Sequence, residues 1–182
     1  ISGAQADVFA SANVQQMTAA SEAGKVAEGG PAVFARNRLS VIAPVKNPAG
    51  LQSLQDLARP GVKLVLATAE VPVGQYALEF LERASQDGSF GGEYQARVLQ
   101  NVVSYENSVK AVLTKVVLGE ADAGIVYTSD ISQSAAAQVV QFEIPEALNV
   151  TAVYPIAVLK DAADPALAAD FVTLVRSPEG QQ

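Results

Sequence analysis

The chain has 182 residues, 49% of them hydrophobic, with no cysteine, no histidine and a formal net charge of −7. That apolar content supplies one large core or two small ones, while scattered rather than massed Lys and Arg exclude the electrostatic footprint of a nucleic-acid or anionic-membrane partner. Without Cys or His there is no thiol nucleophile, no zinc site of the usual ligand types and no imidazole base, so any catalysis would fall to carboxylates, Ser-Lys pairs or Tyr. Lack of cysteine fits an oxidising compartment, and a cytosolic one as well. No apolar run reaches the roughly 18 residues that span a bilayer, so direct membrane insertion is not expected. The start at Ile1, without a basic and then apolar leader, reads as a processed or trimmed product.

In chain order, short runs rich in Val, Ile and Leu alternate with helical patterns. The expected strands are Asp7–Ala10, Leu39–Ala43, Lys63–Ala67, Gln100–Val103, Ala123–Tyr127, Val139–Ile144 and Val153–Leu159. Most are apolar on both faces, as parallel strands covered by helices are, which predicts an α/β architecture. Between them the spacing predicts helices over Asn13–Ala23, Leu51–Ala58, Gly74–Ser85, Ser108–Leu118, Asp130–Ala136 and Pro165–Val175. Val109, Val112, Leu113 and Val116 form one stripe closed by Gly119, and Asp164-Pro165 reads as N-cap and first residue of the last helix, whose Leu167, Phe171 and Leu174 share a face. Breaks at PVKNPAG, Pro44–Gly50, and at Pro145–Asn149 look like crossings between lobes. They divide the chain into a partial first lobe (1–43), a second lobe (44–152) and a return to the first lobe (153–182).

The chemistry lies at two helix starts. Lys63–Ala67 feeds through Thr68–Pro72 into a helix whose first N–H groups have no internal partners and sit at the positive end of its dipole. Pro72 gives no donor but sets the approach, and Gly74 has no side chain to obstruct a ligand. Gln100–Val103 runs into a second helix start, capped by Asn107 or Ser108, that leaves amides near Val109 facing out of the sheet. In a parallel sheet both lie at the carboxyl edge, where α/β folds bind ligands, and Tyr127 ends a third strand there. Three uncharged donors would then converge on an anion. Against this, helix starts commonly hold only water, and a tyrosine at a strand end is commonly a packing residue. Neither GxxxxGK[ST] nor GxGxxG occurs, which disfavours a nucleotide.

Other constellations are weaker. Glu79 and Glu82 flank Arg83 on one helix, where a solvated face with local ion pairs outweighs acid–base work. Ser108 and Lys110 point different ways from a helix start. Asp122 and Asp130 stand at opposite ends of a strand, so helix capping by Asp130 is preferred over a cation site.

These segments resemble the periplasmic molybdate-binding proteins of bacterial ABC importers, within the type II periplasmic binding proteins. The likeness runs from ADVFASAN to SPEGQQ and is carried by RLSVIAP, EVPVGQYA, VKAVLTKVVLGEADAGIVYTSD and YPIAVL. It implies a two-lobed α/β protein with mixed, mostly parallel sheets flanked by helices, closing on molybdate or tungstate through neutral donors. By position it assigns the ligand contacts to the amides of Val73 and Val109 and the hydroxyl of Tyr127, with Pro72, Gly74 and Ser108 in support. It implies no catalysis, no cofactor, no direct cation ligands and a monomer. The partners implied are a small oxyanion and the membrane permease of an ABC importer, in a periplasmic or extracytoplasmic location with a lipoprotein tether as an alternative. The family's two serine-containing loops lie upstream of ADVF, Ser2 and Ser11 do not match them, and the first lobe reads as incomplete, with weakened binding expected of this chain alone. Two other readings stay open at this stage: the ligand-sensing domain of a transcription regulator with the same two-lobed fold, and an enzyme using Glu79 or Asp122.

Overall fold

A computed structural model describes residues 5–181. They form β1 (Val8–Ala10), α1 (Val14–Glu22), β2 (Ala32–Asn37), β3 (Leu39–Pro44), β4 (Leu64–Ala67), α2 (Pro72–Gln86), α3 (Tyr94–Gln100), β5 (Val102–Glu106), α4 (Val109–Val117), β6 (Ala123–Tyr127), α5 (Gln133–Ala136), β7 (Val139–Glu143), β8 (Ala152–Val158) and α6 (Pro165–Arg176). Short 3-10 turns occupy Leu54–Ala58 and Thr128–Asp130. The chain folds as two compact units. One runs to Arg36 and resumes at Ala152; the other is Asn37–Thr151.

The first unit holds a three-stranded sheet ordered β1-β8-β2, with Phe9 opposite Ala157 in an antiparallel pair. Asn13 starts α1 by accepting the Gln16 N–H at 2.9 Å, and Met17 and Ala20 are its buried residues. Asp164 caps α6 as expected, accepting the Leu167 N–H at 3.0 Å, with Pro165 next in the first turn. The shared face of Leu167, Phe171 and Leu174 exists but is exposed by half or more, while Ala168 is the buried residue of α6, which packs on β8.

The second unit is built on a five-stranded sheet ordered β5-β4-β6-β3-β7. β4 runs parallel to β5 and β6, whereas β3 runs antiparallel to β6 and β7. The α/β layering is as expected, but the sheet is evenly mixed rather than mostly parallel. β3 misleads because it is buried along its whole length, and a strand covered on both faces reads as a continuous apolar run whichever way its neighbours point. β2 and α3 lie outside the expected elements. Gln100 closes α3, so β5 begins two residues later than expected. The helix expected over Leu51–Ala58 is the 3-10 turn Leu54–Ala58.

Helices α2 and α4 fix the site because they are fixed by the core. Val73, Ala77, Phe80, Leu81 and Ala84 of α2 are buried, and fully burying a side chain such as Phe80 or Leu81 contributes about 1.5–3 kcal/mol each. α4 lies on β6 through Val112 and Val116, over Gly124, where an added Cβ would come within 2.8 Å of Val112 Cγ1 and 3.0 Å of Val116 Cγ2. The absent side chain lets the helix axis sit that close.

Candidate functional site

All three expected ligand contacts fall in the Asn37–Thr151 unit and at one edge of its sheet. β4 is the middle strand of the parallel trio β5-β4-β6, so the exits of β4 and β5 into α2 and α4, and the end of β6 at Tyr127, point the same way. The chain leaves β4 toward β5 and returns past it to β6. With right-handed crossovers these opposite paths place α2 and α4 on opposite faces of the sheet, flanking the crevice at the β4 exit where ligands of open α/β sheets bind.

At the first helix start, Val71 is the extended N-cap and Pro72 opens the helix. Val73, the second residue of the helix, is buried. The Gly74 N–H donates to the Val71 carbonyl at 3.0 Å. Gly74 itself differs from expectation. The space where its Cβ would stand holds the Thr68 carbonyl oxygen at 2.0 Å and the Ala67 carbonyl oxygen at 2.7 Å. The glycine is required by the strand exit beneath it rather than by a ligand above. At the second start Ser108, not Asn107, is the N-cap, its hydroxyl accepting the Ala111 N–H at 3.2 Å. Among the described residues, no acceptor takes the N–H of Val73 or Val109; both are the unpaired donors that a helix start leaves.

Tyr127 is half-buried at the end of β6, its ring edge-on to Tyr76 of α2 with centroids 6.4 Å apart. That contact ties the β6 end to the first turns of α2. Asp130, expected as a helix cap, accepts the Tyr127 backbone N–H at 3.3 Å as the capping-box acid of the 3-10 turn Thr128–Asp130, while Ser132 caps α5. Burial raises the Asp130 carboxyl above its ordinary value of 3.8, against the opposing pull of that N–H. At the β5 exit, Lys115 Nζ lies 2.6 Å from Glu106 Oε1 and donates to Ser104 Oγ at 2.9 Å. The Lys115 hydrogen bond first, and the Ser104 hydroxyl second, hold the Glu106 carboxyl below its ordinary 4.5. The Lys115 charge is thus met by Glu106, and the helix-start donors carry no formal charge. Sequence reasoning passed over Glu106, Lys115 and Thr68. An acid nine residues ahead of a lysine spans a strand exit and a helix, a separation with no periodic signature.

The competing constellations separate. Glu79 pairs with Arg83 at 2.5 Å on α2, and Arg83 also donates to the Asn149 carbonyl at 2.7 Å, a structural tie. Asp122 accepts the Lys63 N–H at 2.8 Å at the far end of β6 from Asp130. Ser11 lies in the first unit, where its hydroxyl donates to the Asn13 carbonyl at 2.8 Å, and Ser2 lies outside the described residues. A cleft of about 340 Å³ farther along the sheet is lined by Arg38, Ser40, Thr128, Gln141 and Glu143 among others, and includes none of the three donors. Among the described residues no group of three or more acidic side chains is placed to hold a metal ion, and no helix is long and apolar enough to cross a membrane.

The fold is thus a two-unit α/β one, with the starts of α2 and α4 and the end of β6 at the same edge of one sheet. The chain belongs to the bacterial extracellular solute-binding protein family, whose sequence model matches residues 1–182. It is 42% identical over 180 residues to the molybdate-binding protein ModA of Mycobacterium bovis, covering 99% of this chain and 64% of that relative. It thus spans a little under two-thirds of that relative's length. The substrate-binding domain of a putative molybdenum ABC transporter from Clostridium difficile superposes with a TM-score of 0.81 at 27% identity, over 98% of this chain and 74% of the other. The periplasmic molybdate-binding protein of Azotobacter vinelandii has the same fold, with a TM-score of 0.73 at 22% identity over 97% of this chain and 74% of its own. The type II periplasmic-binding-protein fold expected from the sequence is borne out.

Proposed function

We propose that the protein is an extracytoplasmic receptor that captures molybdate or tungstate and delivers it to the membrane permease of an ABC importer, acting as a monomer without catalysis. The observation that carries this reading is the parallel trio β5-β4-β6, which brings the α2 start, the α4 start and Tyr127 to one edge. The amides of Val73 and Val109 and the hydroxyl of Tyr127 are the ligand contacts; Pro72 sets the helix start, Gly74 seats it and Ser108 caps its neighbour. The 42% identity to a molybdate-binding protein supports the choice of ligand. The family supports an extracytoplasmic receptor, free or lipid-tethered, over the sensing domain of a transcription regulator.

The chemistry is coherent. Molybdate and tungstate at neutral pH offer only acceptors, so a pocket of donors suits every face. Hydrogen phosphate keeps a proton, and leaving that O–H without an acceptor costs about 1–3 kcal/mol. Sulfate shares the charge, so only the dimensions of the cavity can discriminate against it. Several aligned amides replace the dianion's water shell without a fixed counter-charge, which permits release. Calorimetric titration of the full-length gene product with molybdate and tungstate tests the reading: tight binding of both, with Tyr127→Phe weakened, is expected. No heat with either anion refutes it.

A further inference from the structure

Thr68 is the first residue beyond β4, and because β4 lies between β5 and β6 it stands between the β5 exit and the end of β6. Its N–H donates to the Glu106 carbonyl at 2.9 Å, and its own carbonyl accepts the Val71 N–H at 3.2 Å. That carbonyl also occupies the space denied to a Gly74 side chain. The backbone of Thr68 is therefore held by β5 and α2 together. Its side chain is treated differently. The residue is half-buried, yet its hydroxyl oxygen is sealed from solvent and has no hydrogen-bond partner, the one buried side-chain polar atom in that condition among the described residues. Buried hydroxyls in folded proteins are nearly always partnered, and a valine of the same shape would fill the position without the desolvation penalty.

A hydroxyl without structural use, at the strand exit that leads into the Val73 helix start, points to a ligand. We infer that Thr68 is a further binding residue: when the oxyanion arrives, the side chain turns about its Cα–Cβ bond and donates its O–H to an oxygen of the anion held at Val73 and Val109. This rests on the oxyanion reading of the site. Outside a helix, threonine moves between staggered rotamers that interchange methyl and hydroxyl in similar volume. Its hydroxyl hydrogen rotates to suit the acceptor, and a hydrogen bond to an ionised acceptor is stronger than one between neutral groups. The bound state therefore regains the partner that the free state lacks, and adds a donor that favours an anion bearing no proton.

The test uses the full-length gene product as wild type, Thr68→Val and Thr68→Ser, with thermal unfolding of the free proteins and calorimetric titration with sodium molybdate. Thr68→Val is expected to unfold at the wild-type temperature or above while its dissociation constant rises about tenfold or more, equivalent to about 1.4 kcal/mol or more. Thr68→Ser should stay within about threefold of wild type, the kind of change a retained hydrogen bond allows. A Thr68→Val protein that binds molybdate as tightly as wild type overturns the assignment and leaves the oxyanion reading standing. A wild-type protein that binds none of molybdate, tungstate, sulfate or phosphate overturns both. Should Thr68→Val fail to fold, Thr68→Ala decides the same question through the same titration.

Discussion

Replacing Gly74 with alanine isolates the contact that seats the α2 start. In an unencumbered helix the change would stabilise, since alanine is favoured over glycine by about 1 kcal/mol. Here the new Cβ would lie 2.0 Å from the Thr68 carbonyl oxygen, 2.6 Å from its carbon and 2.7 Å from the Ala67 oxygen. All three are backbone atoms at the end of a fully buried strand, so none can step aside by changing rotamer. Relief requires the first turn of α2 to lift by about 1.5 Å, to reach ordinary contact distances of about 3.5 Å. Overpacking of this kind costs about 3 kcal/mol or more when backbone must move, leaving a net loss of about 2 kcal/mol. For a chain of this size that lowers the Tm by about 4–8 °C. The same movement carries the Val73 N–H away from its place, so oxyanion affinity should fall with stability. Thermal unfolding followed by circular dichroism reads the first effect and titration the second. Gly88→Ala, where an added Cβ meets open space, serves as control and should change stability by about 0.5 kcal/mol or less. A Gly74→Ala protein as stable as wild type would refute the reasoning.

Tyr127→Phe keeps the ring against Tyr76 and removes the hydroxyl; titration should show oxyanion affinity lowered by about 10- to 100-fold, the scale of one hydrogen bond to a charged group. Asn149 is buried and pairs with Leu39 like a neighbouring strand, its Oδ1 accepting the Leu39 N–H at 3.0 Å and its Nδ2 donating to the Leu39 carbonyl at 2.9 Å. Asn149→Ala strands both backbone groups, and chemical denaturation should show a loss of about 2–5 kcal/mol. The Glu106 carboxyl is depressed by Lys115 and Ser104. Its contribution is therefore present above its ordinary 4.5 and lost as pH falls through the lower folded value. Glu106→Gln should flatten the acid limb of a Tm-against-pH curve and leave its neutral and alkaline parts parallel to wild type.

The architecture was readable where periodicity is local. The apolar runs of β3, β4 and β6 and the stripe of α4 lie within a few residues of their true bounds, because a buried strand and an amphipathic helix each write their pattern into consecutive positions. Strand direction was not readable, since β3 is covered on both faces and reads the same either way. β2 was missed because half of its residues face solvent or are polar, and α3 because Tyr94 and Val98 are too few for a stripe. The two helix starts were legible as chemistry because unpaired amides follow from any strand-to-helix exit. Their union with Tyr127 came from strand order, and their assignment to an oxyanion from family resemblance. The true role of Gly74, the Glu106–Lys115 pair and the unpartnered Thr68 hydroxyl all depend on contacts between segments far apart in the chain, and appear only once the strands are paired.

The central claim is that uncharged donors from the α2 start, the α4 start and the β6 end hold one oxyanion. Crystals of the full-length gene product grown with molybdate, with diffraction recorded at the molybdenum absorption edge, test it most directly. The account predicts a single strong anomalous peak whose oxygens lie within hydrogen-bond distance of the Val73 and Val109 nitrogens and the Tyr127 hydroxyl. A peak elsewhere on the protein, or none with molybdate in excess, contradicts it.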